Sequence, residues 1–282
     1  MHFWKVNGAG NDFIILSALR DSIDPETLPA LAKKLCHRRM SLGADGLMVV
    51  TKATGDADYR MLFFNADGSA GEMCGNGARC ICRFGYETGL AGERQTVETT
   101  AGLVTGERLS RREYRIRLND PTRMELHVHV EVEGVRYDCS YVELGDPGLP
   151  HAVLPYAGLR QADENELREL GRKLRYHPAF PKGANVTFYE LTGEDQLYER
   201  TFERGVEDFT MACGTGTGSV VAVLTMKGLV SGRGVRAEMP GGILTVDVER
   251  QGSRITGLLL TGPTNFVAEG EITDEDLALI IG

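Results

Sequence analysis

The chain reads as an α/β (α+β mixed) protein built from two similar halves. Three observations predict this. Its 282 residues are about the length of two ordinary domains. Strand-like and helix-like stretches are mixed along its whole length. One pattern also occurs twice, as "EMCGNGARC" at 72–80 and "MACGTGTGS" at 211–219. Setting Cys213 on Cys74, an offset of 139, places Arg204 on Asn65, Phe202 on Phe63 and Gly228-Leu229 on Gly89-Leu90. Past one extra residue, "AEMPGGIL" (237–244) falls on "VETTAGLV" (97–104). Each half then runs strand, loop, cysteine, Gly-x-Gly, helix, glycine stop, strand, turn, strand.

Taken in order, "FWKV" and "DFIIL" predict short strands around the loop "NGAGN". A helix opens at Asp24-Pro25 or at Thr27, with Leu28, Leu31, Ala32 and Leu35 on one face. "LMVVT" and "YRMLFF" are strands. A helix runs from Cys74 to about Glu87 and stops at Gly89. "TVETT" and "EYRIRL" follow as strands, and "ELHVHVEVEGVRYDCSYVEL" alternates around a polar turn, which predicts a hairpin. "ADENELRELGRKLRY" predicts a charged helix with a solvated face. "NVTFYE" and "LYERTF" are strands, a helix follows Cys213 to near Gly228, and "VRAEM", "ILTVDVE" and "ITGLLL" close the chain as strands.

Composition narrows the function classes. Apolar residues make up 42%, enough for real cores, and the net charge of −9 argues against a nucleic-acid partner. No apolar run reaches the roughly 18 residues of a membrane span. The start "MHFWKVNGAGNDF" carries charge and glycine where a signal peptide needs an apolar segment, so a cytoplasmic location is expected. The six cysteines are then expected to be free thiols. Cys74, Cys80 and Cys82 lack the CxxC spacing of a zinc site and have no second pair, so no metal is expected. "GAGNDF" lacks the third glycine of a dinucleotide fingerprint.

The repeated pattern carries the chemistry. A cysteine before Gly-x-Gly at a helix start sits among unpaired backbone N–H groups at the positive end of the helix dipole. Its thiol pKa is expected to fall toward neutrality. Gly75-Asn76-Gly77 and Gly214-Thr215-Gly216 form cradles where a carboxylate docks on backbone N–H groups. Two such sites brought together across a pseudo-twofold axis invert the carbon beside that carboxylate. One thiolate acts as base and one thiol as acid, with no metal and no pyridoxal lysine.

The segments "KVNGAGNDFII", "GADGL", "FFNADGSAGEMCGNGARC", "PHAV", "GANVTFYE", "YERTFERG", "ACGTGTGS" and "GPTNFVAEGEI" resemble, in order and over nearly the whole chain, the diaminopimelate epimerase family. The resemblance implies cofactor-free conversion of LL-diaminopimelate to the meso form, for lysine and cell-wall synthesis. It implies two pseudo-symmetric halves, each a curved, mostly antiparallel sheet or barrel around a central helix, with the active site in the cleft and a homodimer as the usual assembly. The expected halves are 1–118 plus about 266–282, carrying Cys74, and 119–265, carrying Cys213. By residue, the resemblance implies Cys74 and Cys213 as the catalytic pair. Gly75, Asn76, Gly214 and Thr215 match the backbone cradle. Asn11, Asn65, Asn185, Glu203 and Arg204 match substrate-holding groups. Arg204 suits a distal carboxylate, because its guanidinium can be bidentate, and Glu203 suits an ammonium. His151, with Glu203, is expected to tune the thiols, and a hydrogen-bonded core histidine is the plainer reading of it.

Three positions depart from the family pattern. Leu149 stands where a substrate-contacting Asn often sits, Gly46 where some members have Gln, and Phe209 where an acidic residue is frequent. They leave the chemistry intact and bear on which amino acid is inverted. The alternatives are a cofactor-independent racemase of another amino acid such as histidine, a thiol redox or metal-binding protein, and a non-enzymatic amino-acid binder.

Overall fold

The computed structural model describes residues 1–71 and 74–277. It divides into two compact units, Met1–Ile116 with the segment from Gly262 onward, and Arg117–Thr261. Among the described residues no helix is long and apolar enough to cross a membrane.

Unit 1 begins with β1 (His2–Gly8) and β2 (Asn11–Ser17), joined through Ala9 and Gly10, both at positive φ. Helix α1 (Leu28–Leu35), β3 (Gly46–Thr51), β4 (Tyr59–Asn65) and the two-residue β5 (Ala70–Gly71) follow. Then come α2 (Gly75–Glu87), β6 (Arg94–Thr99), β7 (Gly102–Arg108) and β8 (Glu113–Leu118). Unit 2 contains β9 (Pro121–Val132), β10 (Val135–Leu144), β11 (Leu149–Pro155), α3 (Glu164–Arg175), β12 (Asn185–Gly193), β13 (Gln196–Glu203) and β14 (Asp208–Phe209). It closes with α4 (Gly214–Met226), β15 (Val235–Met239), β16 (Gly242–Gln251) and β17 (Arg254–Pro263). Strand β18 (Asn265–Glu271) belongs to unit 1.

The strand orders of the two units correspond. Unit 1 reads β18-β1-β2-β3-β4-β6-β7-β8, and unit 2 reads β9-β10-β11-β12-β13-β15-β16-β17. The parallel pairs also correspond, β2–β3 with β11–β12 and β4–β6 with β13–β15. The other pairs within these two orders are antiparallel, and neither order closes as a barrel.

Local chemistry explains the elements. Asp24 accepts from Glu26 N, which makes Pro25–Thr27 a 3-10 turn and delays α1 to Leu28. α1 buries Leu28, Leu31, Ala32 and Leu35 on Ile14, Leu16, Leu47 and Val49, each large side chain contributing about 1.5–3 kcal/mol. The hairpin β9–β10 turns at Glu133 and Gly134, both at positive φ, as a two-residue loop on twisted strands requires. α3 is capped by Asp163 and buries only Leu167, Gly171 and Leu174.

Helices α2 and α4 are different, since nearly every residue of each is buried. α2 packs on β1, β2 and β7, and α4 on β9, β10, β11, β12 and β16. A helix covered on all sides sits at the centre of its unit. Each ends in a glycine one residue past the C-cap, Gly89 (φ 73°) and Gly228 (φ 70°). Leu90 N then donates to Gly85 O and Leu229 N to Leu224 O, both at 2.9 Å.

Candidate active site

Cys74 and Cys213 hold the same position in their units. Each is the N-cap of its central helix, in extended backbone (φ −124°, ψ 123° and φ −121°, ψ 103°). Both are free thiols, Cys74 partly and Cys213 almost fully buried. Glycines at 75 and 77, and at 214 and 216, keep side chains off the first turn, so its N–H groups stay approachable. Glu72 and Met73 of the first pattern lie outside the described residues.

In unit 1 the structure brings Asn11, Cys74, Gly75 and Asn76 together. Asn11 Oδ1 accepts from Cys74 Sγ at 3.3 Å and faces Asn76 Nδ2 at 3.5 Å. Asn11 Nδ2 donates to Asp45 Oδ2 at 2.6 Å. Asp45 belongs to an ionic cluster in which Arg38 binds Asp12 and Asp45, and Lys5 binds Asp12. Burial pushes the Asp12 carboxyl up, but Arg38 and Lys5 outweigh it and hold the pKa at about 2. Asn65 is exposed at the end of β4, where its amide donates to Ser69 Oγ in its own turn.

Sequence reasoning missed Arg79. Its side chain is fully buried, yet no carboxylate among the described residues pairs with it. It donates to Asn76 Oδ1 at 2.8 Å and to Gly75 O at 3.3 Å. Burial pushes its pKa down, while Cys80 and Cys74 favour the cation. The guanidinium therefore braces the cradle from within and sets a positive charge behind Cys74. The signal was present, an arginine five residues after the cysteine on a buried helix, but the turn pattern alone does not tell an inward arginine from a surface one.

In unit 2 the thiol of Cys213 is pushed well above its ordinary value, opposite to the lowering expected for a helix N-terminus. Burial is the main cause, and the carboxyls of Glu203 and Glu199 add to it. Thr215, 3.6 Å away, and the N–H of Gly216 oppose the rise without overcoming it. Glu203 is itself raised by burial, against hydrogen bonds from Thr210 and Cys213.

His151 and Asn185 pair in register across β11 and β12. His151 is fully buried and neither ring nitrogen has a partner. Burial, then the charge of Arg204, holds its pKa at about 3, so it is a neutral imidazole. It is in the core but not hydrogen-bonded. Asn185 accepts from Arg204 N at 2.8 Å and donates to Pro150 O at 3.3 Å, which leaves its amide a further donor and acceptor position. It buttresses the turn that carries Arg204. The Arg204 side chain is exposed and donates to Lys182 O, with no carboxylate partner among the described residues.

Cys80 and Cys82 are core packers. Burial pushes both thiols to about 12, which removes the thiolate that redox or metal chemistry needs. The departures from the family pattern also have local causes. A Cβ on Gly46 would stand 2.5 Å from the Phe63 ring and 2.9 Å from Phe64 O, so no side chain fits there. Phe209 packs against Phe188 and Phe202 and carries Arg200 over its ring at 4.5 Å.

The chain matches the family model described as diaminopimelate epimerase over residues 3–116 and 145–267. It is 34% identical to the diaminopimelate epimerase of Aquifex aeolicus (strain VF5) over 287 residues, 98% of this chain and 99% of the relative. It is 35% identical to that of Caldanaerobacter subterraneus subsp. tengcongensis over 289 residues, 96% of this chain and 99% of the relative. A solved hydroxyproline epimerase from Agrobacterium vitis is similar in fold, with a TM-score of 0.66 at 18% identity, covering 98% of this chain and 94% of the other. Two cysteine-capped central helices in two like units, and relatives aligned end to end, point one way: the chain belongs to the diaminopimelate epimerase family.

Proposed function

We propose that the protein converts LL-diaminopimelate to meso-diaminopimelate by two-base proton transfer between Cys74 and Cys213. The observation that carries this reading is the repeated cap, a free thiol at the N-terminus of each buried, glycine-led central helix. Backbone N–H groups at both helix ends take the reacting carboxylate and stabilise the charge that grows on it as the α-proton leaves. One thiolate removes that proton and the other thiol supplies one to the opposite face. Proton exchange at such a carbon needs acids, bases and an oxyanion site, so neither metal nor pyridoxal phosphate has a step to perform.

Arg204 takes the distal carboxylate, Glu203 the ammonium, and Asn11, Asn65 and Asn185 the remaining polar contacts. Leu149 has no side-chain hydrogen bond to give, so that contact falls to backbone. The raised pKa of Cys213 makes it the thiol partner in the resting protein. The protein works in the cytoplasm as a homodimer on a small amino acid, with neither nucleic acid nor membrane as partner.

Proton NMR of the reduced protein with LL-diaminopimelate in D₂O tests the reading. The expected result is deuterium at the α-carbon together with the meso isomer. Cys74→Ala and Cys213→Ala should each lower epimerisation by about 10²–10⁴-fold, the usual range for losing a general acid or base. No exchange with this substrate would refute its assignment, and a panel of amino acids beginning with histidine would then be assayed.

A further inference from the structure

Beneath α4, the strands β12 and β13 present a polar layer that the proposed mechanism does not use. Strand alternation and register place Glu199, Thr201 and Glu203 of β13 on the same face as Tyr189, Thr187 and Asn185 of β12. That face meets α4, because a Cβ on Gly216 would stand 2.9 Å from Thr201 Oγ1 and 3.0 Å from Thr187 Oγ1. Glu199 is fully buried there, and its Oε2 has no partner. Its Oε1 makes a hydrogen bond with Thr217 Oγ1 of α4, and Thr217 Oγ1 also lies 2.9 Å from the backbone oxygen of Cys213.

A threonine hydroxyl carries one hydrogen. The carbonyl of Cys213 can only accept, so that hydrogen belongs on the carbonyl when both contacts are hydrogen bonds. The carboxyl must then be the donor to Thr217, which requires it to be protonated. An ionised Glu199 would instead leave a charged oxygen unpartnered in the core, an arrangement that costs several kcal/mol. Among the described residues no cation offsets that cost. The titratable groups on the surrounding elements are Cys213 of α4, Tyr189 of β12, His151 of β11 and Glu203 of its own strand. On the same face, β15 and β16 bring the apolar Ala237, Leu244 and Val246.

We propose that Glu199 is a positioning residue for Cys213: as a neutral carboxylic acid it donates to Thr217, which donates to the Cys213 carbonyl, and its ionisation disfavours the Cys213 thiolate. The inference rests on the reading of Cys213 as a proton-transfer group. Two facts support it. Burial lifts the Glu199 carboxyl to about 8. The Glu199 charge is also among the groups that push the Cys213 thiol up. The neutral acid holds the helix cap at neutral pH, and a negative charge forms behind the thiol as the solution becomes alkaline.

The test is the pH dependence of Cys213 alkylation by iodoacetamide, read at the Cys213 peptide by mass spectrometry in a Cys74→Ala background, with and without Glu199→Gln. Gln is near-isosteric and cannot ionise. The two proteins should react alike below about pH 7, and above about pH 8 the Gln variant should react severalfold faster. Superimposable profiles, or a slower Gln variant, would overturn the proposal. Infrared difference spectra at about pH 6 add a second readout. A protonated-carboxyl band lost in Glu199→Gln is expected, and its absence from the parent protein also overturns the proposal. Alkylation needs no substrate. Its failure would leave the deuterium-exchange test of the epimerase reading untouched, and failure of exchange would leave the link between Glu199 and Cys213 standing.

Discussion

His151 shows what burial does to one side chain. Its imidazole is neutral in the native state, with a pKa of about 3, while the unfolded chain carries it at the ordinary 6.5. Between those values the unfolded chain binds the extra proton, so stability is full above 6.5 and is lost as pH falls toward 3. Glu199 acts with the opposite sign. The native state keeps its proton up to about 8, against 4.5 when unfolded, so stability is lost as pH rises through that window. Each full proton of difference changes the unfolding free energy by about 1.4 kcal/mol per pH unit. Urea-unfolding midpoints should therefore decline less steeply below 6.5 in His151→Leu, and less steeply between 4.5 and 8 in Glu199→Gln, than in the parent. Parallel midpoint curves would contradict this. The side chains that matter here were unevenly legible. Cys74 and Cys213 announce themselves, because a cap followed by Gly-x-Gly is a local signal. Glu199 does not, because period-two alternation in "LYERTF" leaves open which of Glu199 and Arg200 turns inward. The choice is made by neighbours distant in sequence, Phe209 taking Arg200 over its ring on one face and Thr217 meeting Glu199 on the other. Asn185 reads as a substrate contact from its motif, but its bonds to Pro150 O and Arg204 N are set by the β11–β12 register and are not legible locally.

The two central helices match in length and caps but differ in tolerance. A methyl on Gly216 would press on the Thr201 and Thr187 hydroxyls, which are hydrogen-bonded to each other at 3.1 Å. A methyl on Gly77 would meet Met48 Sδ at 3.3 Å, a flexible neighbour that can yield. Gly216→Ala should therefore destabilise by about 1–3 kcal/mol. Gly77→Ala should be neutral or gain up to about 1 kcal/mol from helix propensity. Thermal melts of the two variants give the comparison, and equal losses would show that the polar layer under α4 yields as easily as Met48. The ends of α2 and α4 were readable at this scale because Gly89 and Gly228 act on their nearest neighbours. The start of α1 was ambiguous between Asp24-Pro25 and Thr27, and the competing Asp24 cap explains why a 3-10 turn precedes it.

Across the whole molecule the duplication read at an offset of 139 extends through the complete strand order of each unit. Only the parts flanking the two cysteines were visible in sequence, since β1, β8, β9 and β17 share faces and pairings rather than residues. The units differ in continuity. Unit 2 is one stretch, Arg117–Thr261, whereas unit 1 takes β18 from the far end of the chain. Residues 117–261 expressed alone should fold with a cooperative thermal transition, and residues 1–116 alone should not. Circular dichroism melts decide it, and a non-cooperative 117–261 would refute the expectation. The pairing of β1 with β18, from His2↔Glu271 to Asn7↔Asn265, has a consequence during synthesis. Of its two neighbours, β1 meets β2 at once and β18 only after the whole of unit 2 has been made. Arg83, whose guanidinium donates to Thr264 O at 2.8 Å, waits equally long. Unit 2 is thus completed before unit 1, and the outer edge of β1 stays open to stray pairing until β18 emerges.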